Sequence, residues 1–174
     1  LSERNGCAPR AGRPFFAGNG YRPRMPSPEP VLEWLLEPSQ PAVRYRALVD
    51  LLDRGARDPD VREARAALPE RGWVADILRS QRPGGFWESR RDLYRPKYTA
   101  SNWRILVLAD LGMTREDPRV RRTCEIFLSD YPRPDGGLDT PGADQSELCL
   151  TGNMARTLQL CGYGEDRRVR SAYD

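Results

Sequence analysis

Histidine is absent from the 174-residue chain, and with it goes any metal set that needs an imidazole ligand. Lysine is almost absent as well, Lys97 standing alone among 28 basic residues. So strong an arginine bias reads as a GC-rich coding background rather than selection for phosphate contacts. The net charge of +3 resides in residues 1–30, which carry five Arg and two Glu, so the remainder is balanced at 23 basic and 23 acidic residues. A neutral body argues against a nucleic-acid partner. No apolar run approaches the ~20 residues of a membrane span, and no charged start followed by a short apolar stretch marks a secretory signal. A soluble, cytoplasmic protein is the expectation. Paired C-x-x-C spacing is missing among Cys7, Cys124, Cys149 and Cys161. On one helix Cys149 and Cys161 would stand about 18 Å apart at ~1.5 Å per residue, too far to bridge. Buried free thiols in a reducing compartment are expected, with no metal and no cofactor. Sustained period-two alternation is lacking too, so the fold class is all-α.

What is present is a repeated turn. Gln81-Arg82-Pro83-Gly84-Gly85-Phe86-Trp87 and Pro132-Arg133-Pro134-Asp135-Gly136-Gly137-Leu138 lie about fifty residues apart, and each leads into an apolar run that ends at a glycine. Trp103 to Leu111 stops at Gly112 and is followed by Asp117-Pro118-Arg119-Val120-Arg121; Met154 to Cys161 stops at Gly162 and is followed by Asp166-Arg167-Arg168-Val169-Arg170. A worn third copy runs from Val43 to Leu52 and on to Asp58-Pro59-Asp60-Val61-Arg62. Three copies predict a tandem array of helical hairpins over residues 31–174. Residues 1–30, with six Pro and four Gly, cannot bury enough surface to offset the entropy of ordering and are expected to be a disordered leader. The chain starts at Leu1 rather than Met and stops a few residues into what reads as a new helix, so a fragment of a longer array is expected.

The helix ends are well punctuated. Asp58, Asp117 and Asp166 stand at N-cap positions, Pro59 and Pro118 at N1, and Gly112 and Gly162 where a left-handed residue stops a helix. The two helices of each unit differ in pattern. Between Trp103 and Leu111 apolar groups point nearly all round, as in a helix buried on both sides. From Arg119 to Leu128 only Val120, Cys124, Phe127 and Leu128 are apolar, leaving one wet side. The same contrast separates Val43–Leu52 from an outer segment, Val61–Leu78, interrupted around Pro69 to Gly72. Inner and outer helical layers follow, as an open solenoid or a closed ring.

Gln81, Gly85 and Trp87 have the Q-x-x-x-G-x-W spacing that resembles the QW repeat of terpenoid cyclases. Tyr98-Thr99-Ala100 and the helix after it look like the inner helix that follows a glycine turn in the prenyltransferase/squalene-cyclase superfamily. The likeness is strong at Gln81, Gly84, Gly85 and Trp87 and weak at Gly136 and Gly137, where glutamine and tryptophan are missing. The motif makes physical sense as a staple: glycines reverse the chain, glutamine satisfies loose backbone groups and tryptophan packs over the joint. The resemblance implies an α/α toroid with reactive groups near the N-termini of the inner helices, around a central cavity. By position these are Lys97, Tyr98, Ser101, Asn102 and Trp103 on one inner helix, and Glu147, Cys149, Thr151 and Asn153 on the next.

The chemistry that the family would require is thinly represented. Class II cyclases protonate an alkene or epoxide with an aspartic acid from an aspartate-rich motif such as D-x-D-D, and no such cluster occurs here. Glu116-Asp117 and Glu165-Asp166 read as caps, and Asp135 and Asp139 as turn residues. The zinc of protein prenyltransferases needs Asp, Cys and His, which a chain without histidine cannot assemble from its own residues. Trp87, Tyr94, Tyr98 and Trp103 either line a pocket for an isoprenoid or other apolar ligand or pack the joint. The resemblance implies cyclisation of a polyprenyl, squalene-like substrate for a complete and active protein. The alternative is a non-catalytic helical repeat module that binds a protein or apolar ligand on its concave face.

Overall fold

Aspartate caps open three of the helices, and a left-handed glycine stops two. The computed structural model describes residues 28–174. The leader expected over 1–30 lies outside the described residues except for Pro28, Glu29 and Pro30, which begin α1, Pro28–Leu35. There follow α2 (Pro41–Arg46), α3 (Pro59–Ala67), α4 (Gly72–Arg79), α5 (Ser101–Asp110), α6 (Pro118–Asp130), α7 (Leu148–Leu158) and α8 (Arg167–Arg170). Two of these run on into a wider π turn, α2 through Ala47–Leu51 and α7 through Gln159–Tyr163. The fold is all-α; among the described residues β pairing is limited to the isolated bridges Arg82↔Phe86 and Pro132↔Leu138.

Asp58 Oδ1 accepts from the backbone N–H of Asp60 at 2.8 Å and of Val61 at 3.3 Å. Asp117 and Asp166 do the same for Arg119 and Arg168, at 2.8 and 2.9 Å. These arginine side chains then grip the capping carboxylate through Nε and a terminal nitrogen. Burial alone would raise the Asp117 carboxyl, but the Arg119 hydrogen bonds outweigh it and hold it below its usual value. At Asp166 the hydrogen bond from Arg168 is the main cause of the same lowering. The stops are equally local: Gly112 has φ 94 and Gly162 φ 95. A Cβ on Gly112 would lie 2.5 Å from Cε1 of Tyr45, so the ring from α2 seals the end of α5.

α6 buries Val120, Thr123, Cys124, Phe127 and Leu128 and leaves Arg121, Arg122 and Glu125 wet, as its 3.6-residue pattern requires. α5 departs from expectation. Ile105 and Leu108 are fully buried, but Val107 is 41% exposed, because α4, α6 and α7 pack around α5 and leave one strip uncovered. The outer segment Val61–Leu78 is two helices: the chain turns at residues 68–71, and Gly72, at φ 72, starts α4 against Gln40. α4 then touches both α2 and α5.

α5 and α7 run parallel. Asp110 at the end of α5 pairs with Arg156 of α7 at 2.7 Å, and just beyond it Arg115 N–H donates to the carbonyl of Cys161 at 2.9 Å. Their C-terminal ends therefore meet, with α6 returning the chain between them. The core under this arrangement joins Ile105, Leu108, Phe127, Leu138, Met154 and Leu158; a smaller cluster of Leu48, Val61 and Ala64 lies under α2 and α3.

Candidate functional site

The two glycine turns are built alike. In the first, Arg82 N–H donates to Phe86 O and Gly85 N–H to Arg82 O, both at 2.9 Å. Gly85 has φ 84, and a Cβ there would sit 2.5 Å from Cγ of Arg122 on α6. Gln81 Nε2 donates to Arg119 O at 3.1 Å and to Thr123 Oγ1 at 2.8 Å, and that hydroxyl donates in turn to Gly85 O at 2.7 Å. Trp87, 2% exposed, donates its indole N–H to Ile77 O at 2.9 Å. In the second turn Gly136 has φ 90 and packs on Ser171, just past α8. Asp135 ties this turn to the loop before α7 instead, accepting from Gly137 N–H at 3.1 Å and from Ser146 N–H at 2.8 Å. Those backbone donors, Ser146 first, hold its carboxyl below the usual range. Asp139, 7% exposed, accepts from Glu147 N–H at 2.7 Å and anchors the loop before α7.

Each turn is clasped by a hydroxyl near the start of the following helix. Ser101 Oγ accepts from Trp87 N–H at 2.8 Å and donates to Trp87 O at 3.2 Å. Thr151 Oγ1 does the same to Leu138, at 3.1 and 3.0 Å. Both hydroxyls face the turn rather than solvent, and both residues are buried. Asn102 is 1% exposed; its N–H donates to Leu93 O at 2.8 Å, and its side-chain oxygen has no partner.

The other expected site residues face outward. Tyr98 is 75% exposed at φ 70, with its ring 5.4 Å from that of Trp103. Trp103 is half-buried, lies 5.2 Å from Tyr94 and donates its indole N–H to Tyr94 O at 2.9 Å. These three rings form one cluster at the start of α5, beside exposed Lys97. Cys149 and Asn153 are together and exposed on α7, the amide 3.8 Å from the sulfur. Cys149 corrects the expectation of a buried thiol, since it sits on the first turn of α7, where nothing packs over it; Cys124 and Cys161 are buried as expected, and all three are free. Cys7 lies outside the described residues. Glu147 precedes α7 without capping it through its side chain.

Sequence reasoning missed the groove between α4 and α5. It has a volume of about 440 Å³ and is walled by Trp73, Ile77, Val107 and Leu111, with Arg104 and Asp76 on its rim. Trp73 is 57% exposed. The available signal was weak: Val74, Ala75, Ile77 and Leu78 make the buried stripe of α4, which leaves Trp73 off that stripe. The rim charges are engaged, Arg104 with Thr99 O at 3.4 Å and Asp76 with Arg79 at 2.7 Å. The apolar walls suit an apolar ligand, while Arg104, whose partner is a carbonyl, keeps a positive charge at the rim.

Among the described residues no cluster of three or more His, Cys, Asp and Glu could hold a metal ion. No described helix is long and apolar enough to cross a membrane. Comparison with known proteins found no matching family model, no matching curated relative and no matching solved structure.

Proposed function

We propose that the chain is a helical-hairpin repeat protein of the prenyltransferase/squalene-cyclase type, which receives an apolar, polyprenyl-like ligand on the exposed side of α5. The groove carries this reading: Trp73 and Val107 expose large apolar surface in one hollow, where a solvated helix face would present charge. The repeat architecture is supported by the matched turns, each with a left-handed glycine against the next outer helix and a hydroxyl near the next helix start clasping the residue at its end. An α/α toroid is the closed form of such an array, with the uncovered strip of α5 lining its cavity. Cyclisation of a squalene-like chain is the activity this architecture serves in the family resembled.

A second reading rests on a specific observation. The aspartates weighed as candidate acids are committed to caps and turns, Asp117 and Asp166 to helix starts and Asp135 and Asp139 to the second turn, and Asp110 at the end of α5 is paired with Arg156. On that basis the groove binds without turnover.

Titration with farnesol or squalene, read by the fluorescence of exposed Trp73, tests the proposal. Saturable quenching is expected, and Val107→Asp should abolish it by placing a charge in the apolar wall. Quenching that is absent, or unchanged in Val107→Asp, overturns ligand binding at this groove. Cyclised hydrocarbon after incubation with squalene supports the enzyme reading, and binding without product supports the second.

A further inference from the structure

A second hollow, which shares no residue with the α4–α5 groove, lies between α2 with its π turn and α3. It has a volume of about 330 Å³, with Tyr45, Val49, Val61 and Ala66 in its walls. Its only charged lining residues are Arg54, Arg62 and Arg65. Helical spacing explains this one-sided charge. Arg62, Arg65 and Ala66 stand at i, i+3 and i+4 on α3 and share one face, while Asp60 and Glu63 pair with Arg44 of α2 at 3.4 and 3.6 Å. The three arginines differ in what holds them. Arg54 is neutralised by Asp60 at 2.5 Å. Arg65 reaches Glu116 at 2.8 Å, but the side chain of Glu116 is 78% exposed, and an ion pair so open to water is worth little. Arg62 is exposed and has no ion partner among the described residues. The hollow therefore joins apolar walls to one uncompensated guanidinium and a second that is easily recruited.

We propose that this hollow binds a medium-chain fatty acid. The alkyl chain lies against Tyr45, Val49, Val61 and Ala66, and the carboxylate is held by Arg62, with Arg65 exchanging Glu116 for the ligand. Arginine offers paired N–H donors that match a carboxylate, and such charge-assisted bonds are the strong ones. Apolar walls with a few placed polar groups are the usual make-up of a ligand pocket, and about 330 Å³ stands at the small end of the range, which favours a medium chain over a long one. A neutral chain of the same length leaves Arg62 without its partner, and a small anion leaves the walls wet.

Calorimetric titration of the full chain with octanoate, kept below the concentration at which it aggregates, tests this. One saturable site is expected, weakened at least about tenfold in Arg62→Gln and lost in Ala66→Phe, which fills the hollow without changing the charge. Octanol and acetate should each bind at least about tenfold more weakly than octanoate. The site should persist in Val107→Asp, which alters the α4–α5 groove instead. Arg62 and Ala66 are exposed, so thermal melts of their variants should match the parent's and show that both fold. No saturable heat, octanol binding as tightly as octanoate, full affinity in Arg62→Gln or Ala66→Phe, or loss of the site in a folded Val107→Asp would overturn the proposal.

Discussion

Replacing Thr123 by Val isolates the staple between the first glycine turn and α6. The side chain is fully buried and β-branched in both forms, so volume, rotamer freedom and helix propensity change little. What disappears is the hydroxyl that accepts from Gln81 Nε2 at 2.8 Å and donates to Gly85 O at 2.7 Å. Gly85 is itself buried, and its carbonyl has no other recorded partner. Leaving such an acceptor dry costs about 1–3 kcal/mol, so roughly 2 kcal/mol is expected, a fall in melting temperature of about 4–8 °C for a domain of this size. Gln81→Ala should cost less, about 0.5–1.5 kcal/mol, because Gln81 is partly exposed and the Thr123 to Gly85 bond survives its loss. Urea unfolding followed by circular dichroism gives both values, and the double mutant gives their coupling. If Thr123→Val costs under about 0.5 kcal/mol, or less than Gln81→Ala, the turn is not held by the Gln81–Thr123–Gly85 chain and the argument is wrong.

Two glycines should respond with opposite signs to alanine. Gly112→Ala places a Cβ at φ 94 and 2.5 Å from the Tyr45 ring, so a loss of about 2 kcal/mol or more is expected. Gly152→Ala, inside α7 with nothing within 4 Å of the new carbon, should gain up to about 1 kcal/mol; thermal melts of the two variants check the ordering. Acid should weaken the fold through the caps. The folded-state carboxyls of Asp117 and Asp166 are lowered, so their contribution is complete above the unfolded carboxylate value of about 4 and is lost as pH falls through the lower folded values. Asp117→Asn keeps a side-chain oxygen for the cap but cannot ionise, so its stability loss below pH ~4 should be shallower than the parent's; a urea midpoint series from pH 6 to 2 measures this.

Helix boundaries were legible because they are settled within a few residues. An aspartate two positions before an N–H can only cap locally, and Gly112 and Gly162 stop their helices through their own dihedrals. The wet and dry sides of α6 were legible for the same reason, since a 3.6-residue period sorts one helix against water. The candidate site was far less so. Ser101, Asn102 and Thr151 were marked by position as cavity residues, yet the hydroxyls of Ser101 and Thr151 clasp the turns 14 and 13 residues upstream. A hydroxyl near a helix start reads identically whether it faces a turn or a cavity.

Composition and local pattern by themselves determined an all-α chain with defined starts, stops and glycine turns, because capping, left-handed φ and amphipathic period act within a single helix or turn. Only the tertiary structure decided which apolar residues stay wet and which distant groups meet. Val107 lies in an unbroken apolar run and is exposed because the neighbours of α5 leave one strip open; Trp73 joins it only because α4 lands beside α5. Such contacts depend on how whole helices pack, and no short window of sequence contains that information.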